Sequence, residues 1–291
     1  MKTFALMITC LFVFQIVQSQ TEEEVYQAAV DSLESTFHYE YGMVNLKDGL
    51  ATLQVPKGYK YLGPEESSYV LTELWGNPPS EVIGLLFPEE ISPISDNFTY
   101  AVEITYSEDG YIEDGDADDL DYDDLLEEMQ NDAKQSNKER KKLGYGSVEL
   151  IGWASPPFYD TMNKKLHWAK ELKFEGEMVN TLNYNIRILG RRGYLTLNAI
   201  GHIEVLPLFN RDREQILASV DFNDGNRYQD FDADYDDVAA YGLGGLIAGK
   251  VLAKVGFFAL LLKFWKFLAL GAVGLFSVFR KKLFGDKRGQ N

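Results

Sequence analysis

The chain has 291 residues, 45% of them hydrophobic, with 28 Lys and Arg against 45 Asp and Glu, for a formal net charge of -17. That length suits one large or two small domains with a sizeable core. Nucleic-acid binding is driven by clustered cations that displace counterions from phosphate, so this balance excludes nucleic acid as a partner. The charge is also uneven: Lys2 stands alone in residues 1–19, residues 250–291 hold nine basic residues against Asp286, and the stretch between carries a net of -26.

Residues 1–19, "MKTFALMITCLFVFQIVQS", combine Lys2, an apolar run from Phe4 to Val17 and a small residue at Ser19. That is the layout of a cleavable signal peptide, so export is expected. Cys10 is the only cysteine and lies inside this leader, which leaves the mature chain without disulfide or thiol chemistry.

An exported acidic domain follows over residues 20–222. In "TEEEVYQAAVDSLESTF", Thr21 and Glu24 form a capping box, and Val25, Ala29, Leu33 and Phe37 share one helical face. "LATLQVPKGYKYL" reads as a strand ending at Pro56 before a turn at Gly58, and "PEESSYVLTELWG" as a helix stopped by Gly76. A long helix is predicted in "LDYDDLLEEMQNDAKQSNKERKKLG". Asp121 caps the amide of Asp124, acids fill the first turn and bases the last, and Gly144 ends it. Its apolar stripe is narrow: Leu125, Leu126 and Met129.

In "KLHWAKELKF", Leu166, Trp168, Leu172 and Phe174 alternate with polar residues, predicting a strand with one dry and one wet face and Lys170 as the exception. "TLNYNIRILGRRGYLTLNAI" predicts a hairpin turning at "GRRG", whose two glycines tolerate positive φ. Pairing Leu189 with Tyr194 puts Ile188 opposite Leu195, Ile186 opposite Leu197 and Tyr184 opposite Ala199 on one face. The other face then pairs Arg187 with Thr196 and Asn185 with Asn198. A helix from Leu208 to Val220, aligning Phe209, Arg213, Ile216 and Val220, closes the domain. The fold class expected is α+β, a largely antiparallel sheet layered with helices, followed by a C-terminal transmembrane helix.

The run "NDGNRYQDFDADYDD" in residues 223–238 reads as an acidic, hydrated tether, and residues 239–256 as a Gly-rich juxtamembrane helix. Residues 257–279 form an apolar segment of 23 residues, about 34 Å as a helix at ~1.5 Å per residue, enough to cross a hydrocarbon layer of about 30 Å. Lys263 and Lys266 lie in its first half, where snorkelling to the outer face lowers their cost. Lys250, Lys254, Lys263 and Lys266 do not share one polar face, which disfavours a continuous surface helix. The basic tail, residues 280–291, fixes the C-terminus in the cytoplasm and the acidic domain outside. Gly245 and Gly249 form a G-x-x-x-G pair through which the protein could self-associate.

Three sets of residues could carry chemistry. Asp114, Asp116 and Asp118 have the spacing of a calcium loop, yet Asp119 stands where its glycine belongs and Leu125 where its bidentate glutamate belongs, so a solvated loop and helix cap is the leading reading. His167 and Glu171 on the wet strand face offer acid/base groups, against the plainer reading of a solvent-facing histidine. The ladder Asn183, Asn185, Arg187, Thr196 and Asn198 presents fixed amide and guanidinium donors that could bind a carboxylate, a sugar or a peptide, against that of an ordinary wet sheet face. No zinc spacing, phosphate loop, dinucleotide motif or nucleophile elbow occurs, and no cofactor is expected.

The segments "WGNPP", "GLLFP", "EDGYIEDGDADDLDYDDLL", "LIGWASPPFYD", "KLHWAKELKF", "LNYNIRILGRRGYLTLNAI" and "VAAYGLGGLIAG", in that order, resemble a bacterial family of uncharacterised membrane-anchored proteins with a domain of unknown function. The resemblance implies a bacterial envelope protein and brings no activity or catalytic residue. More loosely, "VPKGY" and the late hairpin followed by a helix are similar to the α/β/α sandwich of photosystem-II P proteins and Mog. The expectation is therefore a non-enzymatic domain on the periplasmic side of the cell membrane, binding a protein partner or small ligand. The alternative is an envelope hydrolase or transferase using His167, Glu171 or the carboxylates of residues 108–124.

Overall fold

The computed structural model describes residues 22–249 except 78, 96, 97 and 143. Eight strands form one antiparallel sheet in the order β1 (Tyr39–Glu40), β4 (Tyr59–Leu62), β5 (Gly84–Pro88), β6 (Tyr100–Ser107), β10 (Tyr194–His202), β9 (Thr181–Leu189), β8 (Lys165–Phe174) and β7 (Val148–Asp160). A smaller antiparallel sheet has β11 (Val220–Phe222), β3 (Ala51–Gln54) and β2 (Met43–Leu46). The expected mixed α+β class with a large antiparallel sheet is what the chain forms.

One face of the large sheet packs against the small sheet and helix α4 (Leu206–Leu217). There Tyr184, Ile186, Ile188, Leu195, Leu197 and Ala199 meet Leu46, Leu53, Phe209, Ile216 and Phe222 in a single apolar core. The opposite face carries two separate apolar clusters. Helix α2 (Pro64–Tyr69), which continues as a π turn over Val70–Leu74, covers Leu62, Leu85, Phe87 and Ala101, with Leu33 of α1 (Glu22–Glu34) beside it. The long helix α3 (Tyr122–Lys142) and the short α5 (Leu243–Ala248) cover Leu150, Leu166, Trp168, Leu189 and Tyr194. Asp121 caps α3 as its position predicts, accepting the amides of Asp123 and Asp124.

The β9–β10 register is the predicted one, from Leu189 opposite Tyr194 to Asn185 opposite Asn198. Of the two turn glycines, only Gly193 has positive φ, at 155°, and a Cβ there would stand 1.9 Å from the carbonyl oxygen of Ser107. Gly190 serves differently: the Phe222 ring lies 2.6 Å from where its Cβ would be. Helix α4 stops at Leu217, so Val220 opens β11 opposite Leu53 instead of ending a helix.

Residues 223–238 are not a free tether. Tyr111 is stacked between Tyr228 and Phe231, at 4.4 and 4.0 Å between ring centroids. Asp236 receives both Arg191 and Arg192 of the hairpin turn, and Tyr111 and Val238 form a parallel bridge. Tyr228 and Phe231, two of the aromatic residues in the acidic run, supply contacts that its composition hides. Beyond it, Leu243, Leu246 and Ile247 of α5 are buried against α3 and the sheet. Gly245 packs on Tyr241, and Gly249, at φ 72°, closes the helix, so both glycines of the G-x-x-x-G pair serve this fold. Among the described residues no helix is long and apolar enough to cross a membrane. The leader, the 257–279 segment and the basic tail lie outside the described residues.

Candidate functional site: a polar strip between two apolar clusters

Strand alternation places the ladder on the helix-covered face of the sheet, in the interval between the α2 and α3 clusters. Following the register across β8, β9, β10 and β6 gives three rows. One runs Trp168, Asn185, Asn198, Glu103. On one side of it lies Leu166, Arg187, Thr196, Thr105, and on the other Lys170, Asn183, Ile200, Ala101. Directly opposed side chains in such rows have Cβ atoms about 5 Å apart, and diagonal ones ~7–8 Å. All five ladder residues expected from the sequence therefore come together. Glu103 and Lys170 join them.

Arg187 sits at the centre of the strip's apolar wall. Its guanidinium carbon is 5.2 Å from the Trp168 ring centroid and 5.7 Å from that of Tyr194, within cation–π range of both. Nη1 donates to the Ile186 carbonyl and Nη2 reaches Asn185 Oδ1 at 3.5 Å, whereas Nε is buried with no hydrogen-bond partner among the described residues. Trp168, 1% exposed, likewise has an Nε1 without a partner among the described residues. Burial lowers the Arg187 pKa, opposed by Tyr194, Tyr241 and Glu103.

From Arg187 a file of amides crosses the sheet. Asn185 Nδ2 donates to the carbonyl and to Oδ1 of Asn183, and Asn183 Nδ2 donates to Asn198 Oδ1 at 2.9 Å. Glu103 and Lys170 make no hydrogen bond or ion pair among the described residues. Desolvation pushes the Glu103 carboxyl up to about 7, with Arg187 pulling the other way. Desolvation pushes the Lys170 ammonium down to about 8, helped by the Arg187 charge. Both side chains keep partial exposure. Desolvated groups that titrate near neutrality on a partly exposed sheet face are candidates for contact with a ligand.

The other candidates have structural work. Asp114 accepts hydrogen bonds from Tyr159, Lys164 and Tyr228; burial raises its carboxyl, but these three donors together hold it below the usual value. Asp116 accepts the amides of Leu243 and Gly244 at the start of α5. Asp118 sits in a one-turn 3₁₀ helix, and the described residues contain no group of three ligands suited to a metal. A recess of about 680 Å³ lies beside Asp114, Asp116, Tyr228 and Gly242, and two of its carboxylates, Asp114 and Asp116, are engaged in this way.

His167 is not on a wet face. The small sheet and α4 bury that side of β8, so His167 lies between Phe158 and Tyr184, 3.0 Å from the Tyr184 hydroxyl, and burial pushes it down to about 4. Glu171 is four residues further along the strand, about 13 Å away at ~3.3 Å per residue, and accepts from Asn180. The two do not form an acid/base pair.

Among solved structures the chain is similar to the solution structure of cyanobacterial PsbP (CyanoP) from Synechocystis sp. PCC 6803, with a TM-score of 0.35 and 12% identity over 64% of this chain and 92% of that one. No curated protein sequence matches it. A family model described as "Protein of unknown function (DUF2167)" matches residues 38–277, most of the chain, and the protein belongs to that family.

Proposed function

We propose that this protein is a non-enzymatic binding module, exported and held at the cell membrane by its C-terminal segment, that takes a small polar ligand into the strip between the α2 and α3 clusters. The observation that carries the reading is the pair Glu103 and Lys170: two desolvated, unpaired charges on the same sheet face as an ordered amide file. A fold optimised for stability alone would satisfy or remove them. The anchor rests on the length and apolarity of residues 257–279, on the leader in residues 1–19, and on the family match, which runs to residue 277 and so takes in the apolar segment with the domain.

The strip is tested on full-length protein in detergent micelles carrying ¹⁵N-asparagine, with acetate, methylammonium and glucose as separate probes. Saturable shifts of the Asn183 and Asn198 side-chain amides with any one of them support the site; no saturable shift with all three removes it. The anchor is tested by carbonate washing of membranes, which leaves a spanning protein in the pellet and releases a peripheral one. A second reading, an envelope hydrolase or transferase, draws on the same titration near neutrality, with Glu103 and Lys170 as the acid/base pair in place of His167 and Glu171. It requires turnover of an ester such as p-nitrophenyl acetate that Glu103→Gln abolishes.

A further inference from the structure

We propose that the ligand of the strip is a monoanion presenting a carboxylate, received by the Lys170 ammonium and the outward amide nitrogens of Asn198 and Asn183; the inference rests on the strip being a binding site. The amide file has a fixed polarity. An asparagine side chain can usually be turned either way, since its oxygen and nitrogen look alike. Here the orientation is pinned from both ends. Arg187 has only donors, so the Asn185 oxygen faces it, and the Asn183 main-chain carbonyl has only an acceptor, so the Asn185 nitrogen faces that.

Asn185 Nδ2 then also donates to Asn183 Oδ1, which turns Asn183 Nδ2 toward Asn198 Oδ1. Every amide points its donors away from the guanidinium, and each polarises the next. The file ends at Asn198 Nδ2, which has two N–H donors and no acceptor among the described residues. Lys170 lies directly opposite Asn183, and Asn198 is diagonal to Asn183 across the next strand pair. The three residues are therefore neighbours on one sheet face, and the groups they leave free are all donors. Lys170, Asn183 and Asn198 are each partly exposed, so a ligand can reach them.

Such a set fits an oxyanion. Its charge is limited by Glu103, directly opposite Asn198. A dianionic phosphate would be repelled there, while a carboxylate places one negative charge beside the ammonium and accepts from the amides.

The test uses the ¹⁵N-asparagine protein, full length in micelles, at constant ionic strength. Acetate is the small-molecule carboxylate, N-acetylalanine the chain-end carboxylate, and inorganic phosphate the dianion. A saturable shift of the Asn198 and Asn183 amides with either carboxylate, weakened about tenfold or more by Lys170→Met and restored by Lys170→Arg, supports the proposal. Tighter binding of N-acetylalanine assigns the carboxylate to a peptide end, and tighter binding of acetate to a free small molecule. Phosphate binding as tightly as both, or a carboxylate response unchanged in Lys170→Met protein of unaltered unfolding midpoint, overturns it. Saturation by methylammonium or glucose without acetate overturns the anion while leaving the strip a site. No response to any probe removes both.

Discussion

Replacing Leu243 with alanine tests whether the C-terminal part of the domain belongs to its core or merely trails toward the apolar segment. Leu243 is 0% exposed and shares a cluster with Trp168, Leu189 and Tyr194, with Met129 of α3 on the other side. Truncating a leucine so enclosed removes its transfer free energy and leaves a cavity, together ~2–5 kcal/mol, with ~3 kcal/mol a fair central value. The amide that Leu243 gives to Asp116 belongs to the main chain and survives the change. For a domain of this size, with a urea dependence near ~3 kcal/mol per M, the midpoint should fall by about 1 M. Urea unfolding in micelles followed by tryptophan fluorescence reads this directly, because Trp168 and Trp153 lie in or against the same cluster. Val238→Ala, at an exposed position of the preceding acidic run, is the control and should stay within ~0.5 kcal/mol. A Leu243→Ala midpoint within ~0.2 M of the parent would refute the packing of α5 against the domain.

The strip also predicts an unusual pH profile. Glu103 is raised from 4.5 to about 7 in the fold, so the native state holds a proton the unfolded chain has lost, and its contribution falls as pH rises through that window. Lys170 is lowered from 10.5 to about 8, so the unfolded chain holds the extra proton above pH 8 and stability recovers as pH rises. Relative to Glu103→Gln plus Lys170→Met, the parent should be least stable between pH 7 and 8, by about 1–3 kcal/mol after partial solvation; a flat difference across pH 5–10 contradicts the desolvation of both groups. Asp236 behaves oppositely: hydrogen bonds, first from Arg191 and then Arg192, hold its carboxyl well below the usual range. Its contribution is present above the unfolded value of 3.8 and lost as pH falls through the folded one, so the midpoint gap between parent and Asp236→Asn should close toward pH 2 and shrink in 1 M salt. Finally, Asn137 both donates to and accepts from the backbone of Val148, sealing the β7 edge beside Gln130, which donates to Leu150 and Ile151. Asn137→Ala should cost ~1–3 kcal/mol and raise heat-induced aggregation by light scattering; unchanged scattering would show that the edge is guarded by other means.

The hairpin was legible because two local signals agree. A turn with glycines at both ends sets the register, and only that register puts Tyr184, Ile186 and Ile188 on one side with Asn185 and Arg187 on the other. The ladder followed at once, being the remainder of the same alternation. Glu103 was not found, although "AVEIT" alternates just as clearly, because β6 and β10 are distant in sequence and nothing local shows that they pair. Lys170 left a trace: it is the residue that breaks the apolar face of β8, and a charge on a face otherwise committed to a core was the available sign. His167 was misplaced because alternation shows what a strand offers each side and is silent on a second sheet covering the polar one. The acidic run misled by composition, since two of its aromatic rings stack on Tyr111 and one of its carboxylates, Asp236, binds Arg191 and Arg192.

These contacts change the expected relation between domain and bilayer. Asp109 accepts the hydroxyls of both Tyr194, which stacks on Arg187 of the strip, and Tyr241, which leads into α5. Asp116 caps that helix. Two carboxylates of the acidic loop thus fasten the end of the domain to the sheet that carries the site. Between Gly249, the last described residue, and Phe257, where the apolar segment begins, there are only residues 250–256. Seven residues reach at most ~25 Å when fully extended. With the proposed span in place, a domain of strongly negative charge is therefore kept near the lipid by a short connection, not held far off by a hydrated one. Electrostatics permits this, because repulsion from anionic headgroups decays over a Debye length of about 8 Å at physiological ionic strength. If the proposed span exists, seven residues are enough to clear that distance and too few to let the strip drift far from the membrane surface.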